Sequence, residues 1–271
     1  MAQVDPSGRR ENFVVHELRL FLIAVMFYTR IPCPRWVGYS DDLLNRSTRY
    51  FPAIGWLIGG IIAGVFLLAQ LVLPEGVAVV LALGVGVLAT GAFHEDGFAD
   101  ICDGFGGGMT RERTLEIMKD SRVGAYAVIG VVLLFALKIT ALVSLSTEGI
   151  WVVVAALLFA HVLSRWSVVT IIFTNAYARA DLTSKVKPIG RSISSLGVVA
   201  GTVWLLPFLG FVWWHPWWLL AIPIAFLIRL VLAAWFRRRL GGYTGDCLGA
   251  AQQIIEVSVF LTILGCVGLA A

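Results

Sequence analysis

His94 to Gly108, HEDGFADICDGFGGG, sets four carboxylates within nine residues directly after an apolar run. On a helix turning about 100° per residue, Asp100 lies roughly 40° and Asp103 roughly 20° from the direction of Asp96, so the three share one face. Three carboxylates on one stripe repel each other. A hard divalent cation such as Mg2+, which takes oxygen ligands and usually shares them with a substrate phosphate, removes that repulsion. Asp96, Asp100 and Asp103 are therefore the candidate metal ligands. Glu95, about 100° off the stripe, and His94 beside it are candidate catalytic groups. The glycines at 97, 104, 106, 107 and 108 are expected to leave room for a bulky ligand and to offer backbone N–H groups to phosphate oxygens. The plainer alternative is a solvated acidic loop between two membrane helices; the helical period, the glycines and the position weigh against it.

What must position these carboxylates is a set of apolar helices. Of 271 residues 59% are hydrophobic and 14% charged, and the mean hydropathy is +0.86. Several runs approach the roughly 20 residues that span hydrocarbon, which implies an all-α, polytopic transmembrane bundle in the lipid bilayer. Candidate spans are about 52–73, 77–93, 124–145, 150–173, 194–213, 217–236 and 250–270, seven in all. Phe13 to Thr29 resembles an eighth, but His16, Glu17 and Arg19 leave only Leu20 to Tyr28 continuously apolar. It is expected to be an interfacial or re-entrant helix. Acidic residues at 5, 11 and 17 argue against a cleavable signal peptide. The chain thus reads as one membrane domain over 1–271, with an N-terminal interfacial region at 1–51, an acidic segment at 94–123 and a second glycine-rich loop at 237–250.

Cations fix the expected orientation. The connections 30–51, 94–123, 174–193 and 237–249 hold Arg30, Arg35, Arg46, Arg49, Arg111, Arg113, Lys119, Arg122, Arg179, Lys185, Lys187, Arg191 and Arg237 to Arg239, whereas 74–76, 146–149 and 214–216 hold none. The basic side is the cytoplasm by the positive-inside rule. The acidic stripe lies on that same side, and acids ringed by cations suit a diphosphate ester. Lys119, Arg122 and Arg30 are candidate substrate contacts, although topology alone accounts for most of the basic residues.

Asp120, between Lys119 and Arg122, reads as a fourth metal ligand, as a base, or as half of a local ion pair. Arg165 lies too deep in its run for a loop charge; a phosphate contact and a snorkelling side chain are both open for it. His161 reads as a packing histidine, and Lys138 and Arg229 as snorkellers. In Gly241 to Ala250, GGYTGDCLGA, Thr244 and Asp246 are candidate ligand contacts, with helix capping the alternative for Asp246. Four cysteines without paired spacing indicate neither a disulfide framework nor a metal site. No motif points to nucleic acid.

These residues together resemble the cobalamin synthase family. The resemblance rests on TRIPCP at 29–34, YFPAIGWLIGG at 50–60, HEDGFADICDG at 94–104, IMKDSRVGAY at 117–126 and GGYTGDCLGAAQQ at 241–253, which keep their order across almost the whole chain. The resemblance implies a Mg2+-dependent enzyme of the bacterial inner membrane. Such an enzyme joins adenosylcobinamide-GDP to alpha-ribazole, or its 5'-phosphate, and releases GMP as the last step of nucleotide-loop assembly; a homo-oligomer is compatible with it. Asp100 to Gly104 also matches part of the CDP-alcohol phosphotransferase signature, without its second half. A cation or metabolite transporter is the alternative of another class, but it would place its coupling site near the midplane.

Overall fold

A computed structural model of the chain describes residues 12–178, 192–213 and 215–270. Among them regular structure is helical, apart from an isolated bridge between Tyr177 and Tyr243. Arg179, Lys185, Lys187 and Arg191 lie outside the described residues.

The chain opens with α1 (Phe13–Tyr28), whose N-cap Asn12 accepts from the Val14 amide. Its exposed Phe13, Val14, Val15 and Leu18 contrast with buried His16, Leu20, Ile23 and Ala24. One apolar face is thus exposed and the other packs against the bundle. A short α2 (Asp41–Ser47) then runs through a 3-10 turn into α3 (Phe51–Ala69), and α4 (Glu75–Thr90) follows.

α4 does not continue into the acidic segment. The Gly91 and Ala92 amides donate back to the Leu88 and Val87 carbonyls, both residues are left-handed (φ 67° and 58°), and α5 (Phe93–Gly107) leaves at 91° to α4. This paired closure is a Schellman-type stop, for which Gly91 supplies the backbone freedom.

The short α6 (Arg111–Ile117) leads to α7 (Ala125–Ser146) and α8 (Ile150–Thr174). α8 is buried nearly all round, against α3, α12 and α11. Alanines and serines at 155, 156, 160, 164 and 167 let its neighbours approach closely. α9 (Ser195–Val203) and α10 (Phe208–Val212) precede α11 (Ala221–Leu240) and α12 (Gly245–Ala270).

Among the described residues five segments can cross a membrane by length and composition: 41–69, 125–146, 150–174, 216–240 and 245–267. A sixth is obtained when the bent pair α4 and α5 counts as one. The multi-pass helical bundle stands, and the count of seven is not confirmed. The 194–213 run is two short helices because Pro207, lacking an N–H and disfavouring helix in the residue before it, falls in its middle. The 77–93 run ends early, at the glycine turn.

Candidate active site

α5 is helical through all three aspartates, and Asp96, Asp100 and Asp103 line one cavity of about 270 Å³ together with Lys119, Asp120 and Arg122. α5 is held against α12 by close backbone approach. A methyl at Gly97 would lie 3.0 Å from the Asp246 Cα, and one at Gly249 would lie 3.0 Å from the His94 carbonyl oxygen. Larger side chains at either position would force the two helices apart.

The glycines therefore do different work from that expected. α5 extends to Gly107, so the backbone amides along it are spent on helical bonds rather than offered to phosphate. The space beside Gly104, Gly106 and Gly108 is filled by Met118, Tyr126 and Thr114. Protein packing, not ligand clearance, uses the missing side chains.

Asp103 is doubly engaged. Its Oδ2 accepts from the Gly124 amide at 2.6 Å and its Oδ1 from the Ala127 amide at 2.9 Å, which ties α5 to the N-terminus of α7. A carboxylate has about four acceptor positions, so both oxygens keep capacity toward the cavity. Asp120 binds Arg122 through both side-chain oxygens, at 2.6 Å from Nη2 and 3.0 Å from Nε, and also accepts the Arg122 amide. These bonds hold the Asp120 carboxyl at about 2, below its usual 3.8, and raise the Arg122 guanidinium. The local ion pair foreseen in the sequence is present. Among the described residues the Lys119 ammonium makes no side-chain contact of this kind, and no three acidic, histidine or cysteine side chains converge as a ready-made metal cage.

The remaining candidates lie elsewhere. Thr244 is buried and caps α12 by accepting the Cys247 amide, while its hydroxyl donates to Asp246. The capping role considered for Asp246 thus falls to Thr244, and Asp246 sits in the first turn beside Gly97. Arg30 packs on the α4–α5 turn, its amide donating to the Ala89 carbonyl and its side chain lying against Gly91. His94 points inward, stacked on Phe51 with centroids 5.7 Å apart.

Arg165 is 1% exposed, neither at the interface nor lining the acidic cavity. It lies over the Phe51 ring, donates to the His161 carbonyl at 2.9 Å and sits 4.0 Å from Glu256. Glu256, fully buried on α12, receives Lys138 Nζ at 2.6 Å, His161 Nδ1 at 2.9 Å and Gln252 Nε2 at 2.6 Å. Lys138 also donates to Gln253, and Gln253 donates to Glu95 at 3.0 Å. Lys138 is therefore an internal partner rather than a snorkeller. Arg229 likewise turns inward, to Thr170 and Thr174 on α8.

Glu256, Gln252 and Gln253 escaped the sequence reading because they sit in a run whose average is apolar. The signal was present, since an acid inside a span calls for a partner, and 252, 253 and 256 share one helical face.

A family model described as Cobalamin-5-phosphate synthase matches residues 20–264 of this chain. The chain is 46% identical over 257 residues to the adenosylcobinamide-GDP ribazoletransferase of Shewanella frigidimarina (strain NCIMB 400), covering 92% of this chain and 95% of that one. It is 48% identical over 254 residues to the protein of the same name from Shewanella sp. (strain W3-18-1), covering 92% and 94%. It is 42% identical over 253 residues to that of Leptothrix cholodnii, covering 92% and 96%. No solved structure matches.

Proposed function

The chain belongs to the cobalamin-5-phosphate synthase family, and from that premise we propose that it is a membrane-embedded ribazoletransferase. It joins adenosylcobinamide-GDP to alpha-ribazole, or its 5'-phosphate, at the acidic cavity of α5 and releases GMP. The observation that carries the site assignment is a convergence of side chains. Four carboxylates, Asp96, Asp100, Asp103 and Asp120, and two cations, Lys119 and Arg122, line one cavity. Such a mixed set of hard oxygen donors and cations suits a divalent cation shared with a substrate diphosphate.

Mg2+ fits this donor set because it is commonly held by one or two carboxylates plus substrate phosphates and retains waters, so it needs no closed protein cage. Asp96 and Asp100 would hold it, with Asp103 fixing the outer end of the stripe through its two bonds to α7. When bound, it would neutralise phosphate charge and polarise the phosphoryl oxygens.

The chain's own groups do the positioning. Lys119 supplies an unengaged ammonium for the diphosphate. Arg122, held by Asp120, keeps its charge at the cavity wall, and Asp120, with its pKa near 2, is too weak a base to take a proton efficiently at neutral pH. Its role is to complete the site. The ribazole hydroxyl oxygen bonds to the phosphorus nearest the cobinamide, the bond from that phosphorus to the GMP oxygen breaks, GMP leaves with the electron pair, and the hydroxyl proton passes to solvent. Such a displacement needs alignment and charge stabilisation rather than a protein nucleophile. The basic connections support a site on the cytoplasmic face of a bacterial inner membrane.

Asp96→Asn and Asp100→Asn each keep shape and remove a charge. Turnover should fall on the order of 100-fold in each folded, membrane-inserted variant, as for loss of one preorganised electrostatic contact. Near-parental rates in both would defeat the site assignment.

A further inference from the structure

Inside the bundle lies a second polar centre, where α3, α4, α5, α7, α8 and α12 meet around a cavity of about 20 Å³. Its lining includes His94, Glu95, Lys138, His161, Arg165 and Glu256. Two carboxylates, Glu95 and Glu256, face two basic side chains, Lys138 and Arg165, so their formal charges balance. Four of its buried side-chain atoms nevertheless have no hydrogen-bond partner: Glu95 Oε2, Arg165 Nε, His94 Nε2 and His161 Nε2. Leaving a buried polar atom unmade costs about 1–3 kcal/mol each, so such a group calls for an occupant.

The chemistry of the four atoms selects the occupant. Arg165 Nε–H can only donate, and Glu95 Oε2 can only accept. His161 Nδ1 lies 2.9 Å from both the Glu256 carboxylate and Arg165 Nη1, so either tautomer is compatible, and a water, which both donates and accepts, suits Nε2 in each. A cation would be repelled by Arg165 and an anion by Glu95. The space suffices for one water, whose minimum is about 10–15 Å³, and for little else. Water both accepts from Arg165 and donates to Glu95.

We infer that this cavity holds one buried water bridging Glu95 to Arg165, and that Glu95, gripped by that water and by Gln253, is a positioning residue for the aspartates of α5. Its consequence for turnover rests on the transferase reading above. Glu95 stands in the first turn of α5, next to Asp96 and just past the left-handed Ala92. Fixing both of its oxygens fixes where the stripe begins, and Asp103 fixes where it ends.

Two variants test this, Glu95→Gln, which keeps two hydrogen-bonding ends, and Glu95→Ala, which keeps none. In the full-length protein in detergent, Glu95→Ala should lower kcat about 100-fold, the scale of a misplacement of about 1 Å. Its KM for adenosylcobinamide-GDP should stay within about threefold, and amide exchange over residues 93–107 should be at least roughly tenfold faster. Glu95→Gln, which loses the charge but keeps both hydrogen-bonding ends, should recover at least roughly tenfold of the Glu95→Ala loss in kcat. If Gln is as inactive as Ala while exchange is unchanged, Glu95 takes part in proton transfer and the inference is overturned. Parental turnover and exchange in Glu95→Ala overturn it equally. A parent that releases no GMP defeats the transferase reading, and the exchange data still judge the positioning. An experimental density map should show a water between Glu95 and Arg165; a direct Glu95–Arg165 ion pair would remove it.

Discussion

Glu256 and Lys138 give the sharpest energetic test of the interior. Glu256→Gln leaves Lys138 and Arg165 facing only Glu95, and Lys138→Met leaves two carboxylates facing only Arg165. A hydrogen bond between helices in lipid averages only about 0.6 kcal/mol. The stranded charge is the larger effect: removing one partner of a buried pair costs about 3–5 kcal/mol. The Arg165–Glu256 separation of 4.0 Å gives the same scale, about 4 kcal/mol at an effective dielectric near 20. The double variant Lys138→Met/Glu256→Gln restores balance, with Arg165 against Glu95. It should therefore lose less than the sum of the single losses, by about 0.5–3 kcal/mol. Unfolding in mixed micelles, followed by the fluorescence of the 10 tryptophans, measures all three. Single variants within about 1 kcal/mol of the parent, or a double-variant loss equal to or greater than the sum of the single losses, would refute the claim that charge balance holds this centre.

Three further outcomes follow from the geometry around α5. Asp103→Ala deletes the side chain that accepts the Gly124 and Ala127 amides, so it should cost about 1–2 kcal/mol in the same unfolding assay, the range of a lost N-cap; no loss would show those bonds to be energetically idle. Gly97→Ala places a methyl 3.0 Å from the Asp246 Cα, which must displace α5 from α12; stability should fall by about 1–3 kcal/mol and turnover by roughly 10- to 100-fold, and parental values would show that the contact yields freely. Asp120, lowered from 3.8 to about 2 by Arg122, is charged above both values and loses its bonded form only as pH falls through about 2. Asp120→Asn should therefore leave any acid limb of the pH–rate profile between about pH 5 and 8 in place; a limb that vanishes in this variant would make Asp120 the titrating group.

The acidic stripe was legible because helical period is a local property: 96, 100 and 103 share a face whatever surrounds them. Long apolar runs were equally plain. What the sequence hid is orientation toward neighbours. The α5 glycines read as ligand space because nothing local says that Met118, Tyr126 and Thr114 fill it. The bend at Gly91 and Ala92 lies inside a run of uniform hydropathy, so the run was extended to Phe93. Pro207 was a legible warning against a single helix over 194–213. Glu256 was averaged away by its apolar neighbours, and without it His161 read as a packing group and Arg165 and Lys138 as separate cations rather than as the partners of one carboxylate.

The most direct measurement is GMP release by the purified protein in detergent, with adenosylcobinamide-GDP, alpha-ribazole and Mg2+ supplied together and each withheld in turn. The proposed reaction predicts stoichiometric GMP and a joined corrinoid product only when all three are present, and both forming on the order of 100-fold more slowly in Asp100→Asn. Release of GMP without alpha-ribazole, undiminished turnover after Mg2+ is chelated, or no release with all three present would contradict the account.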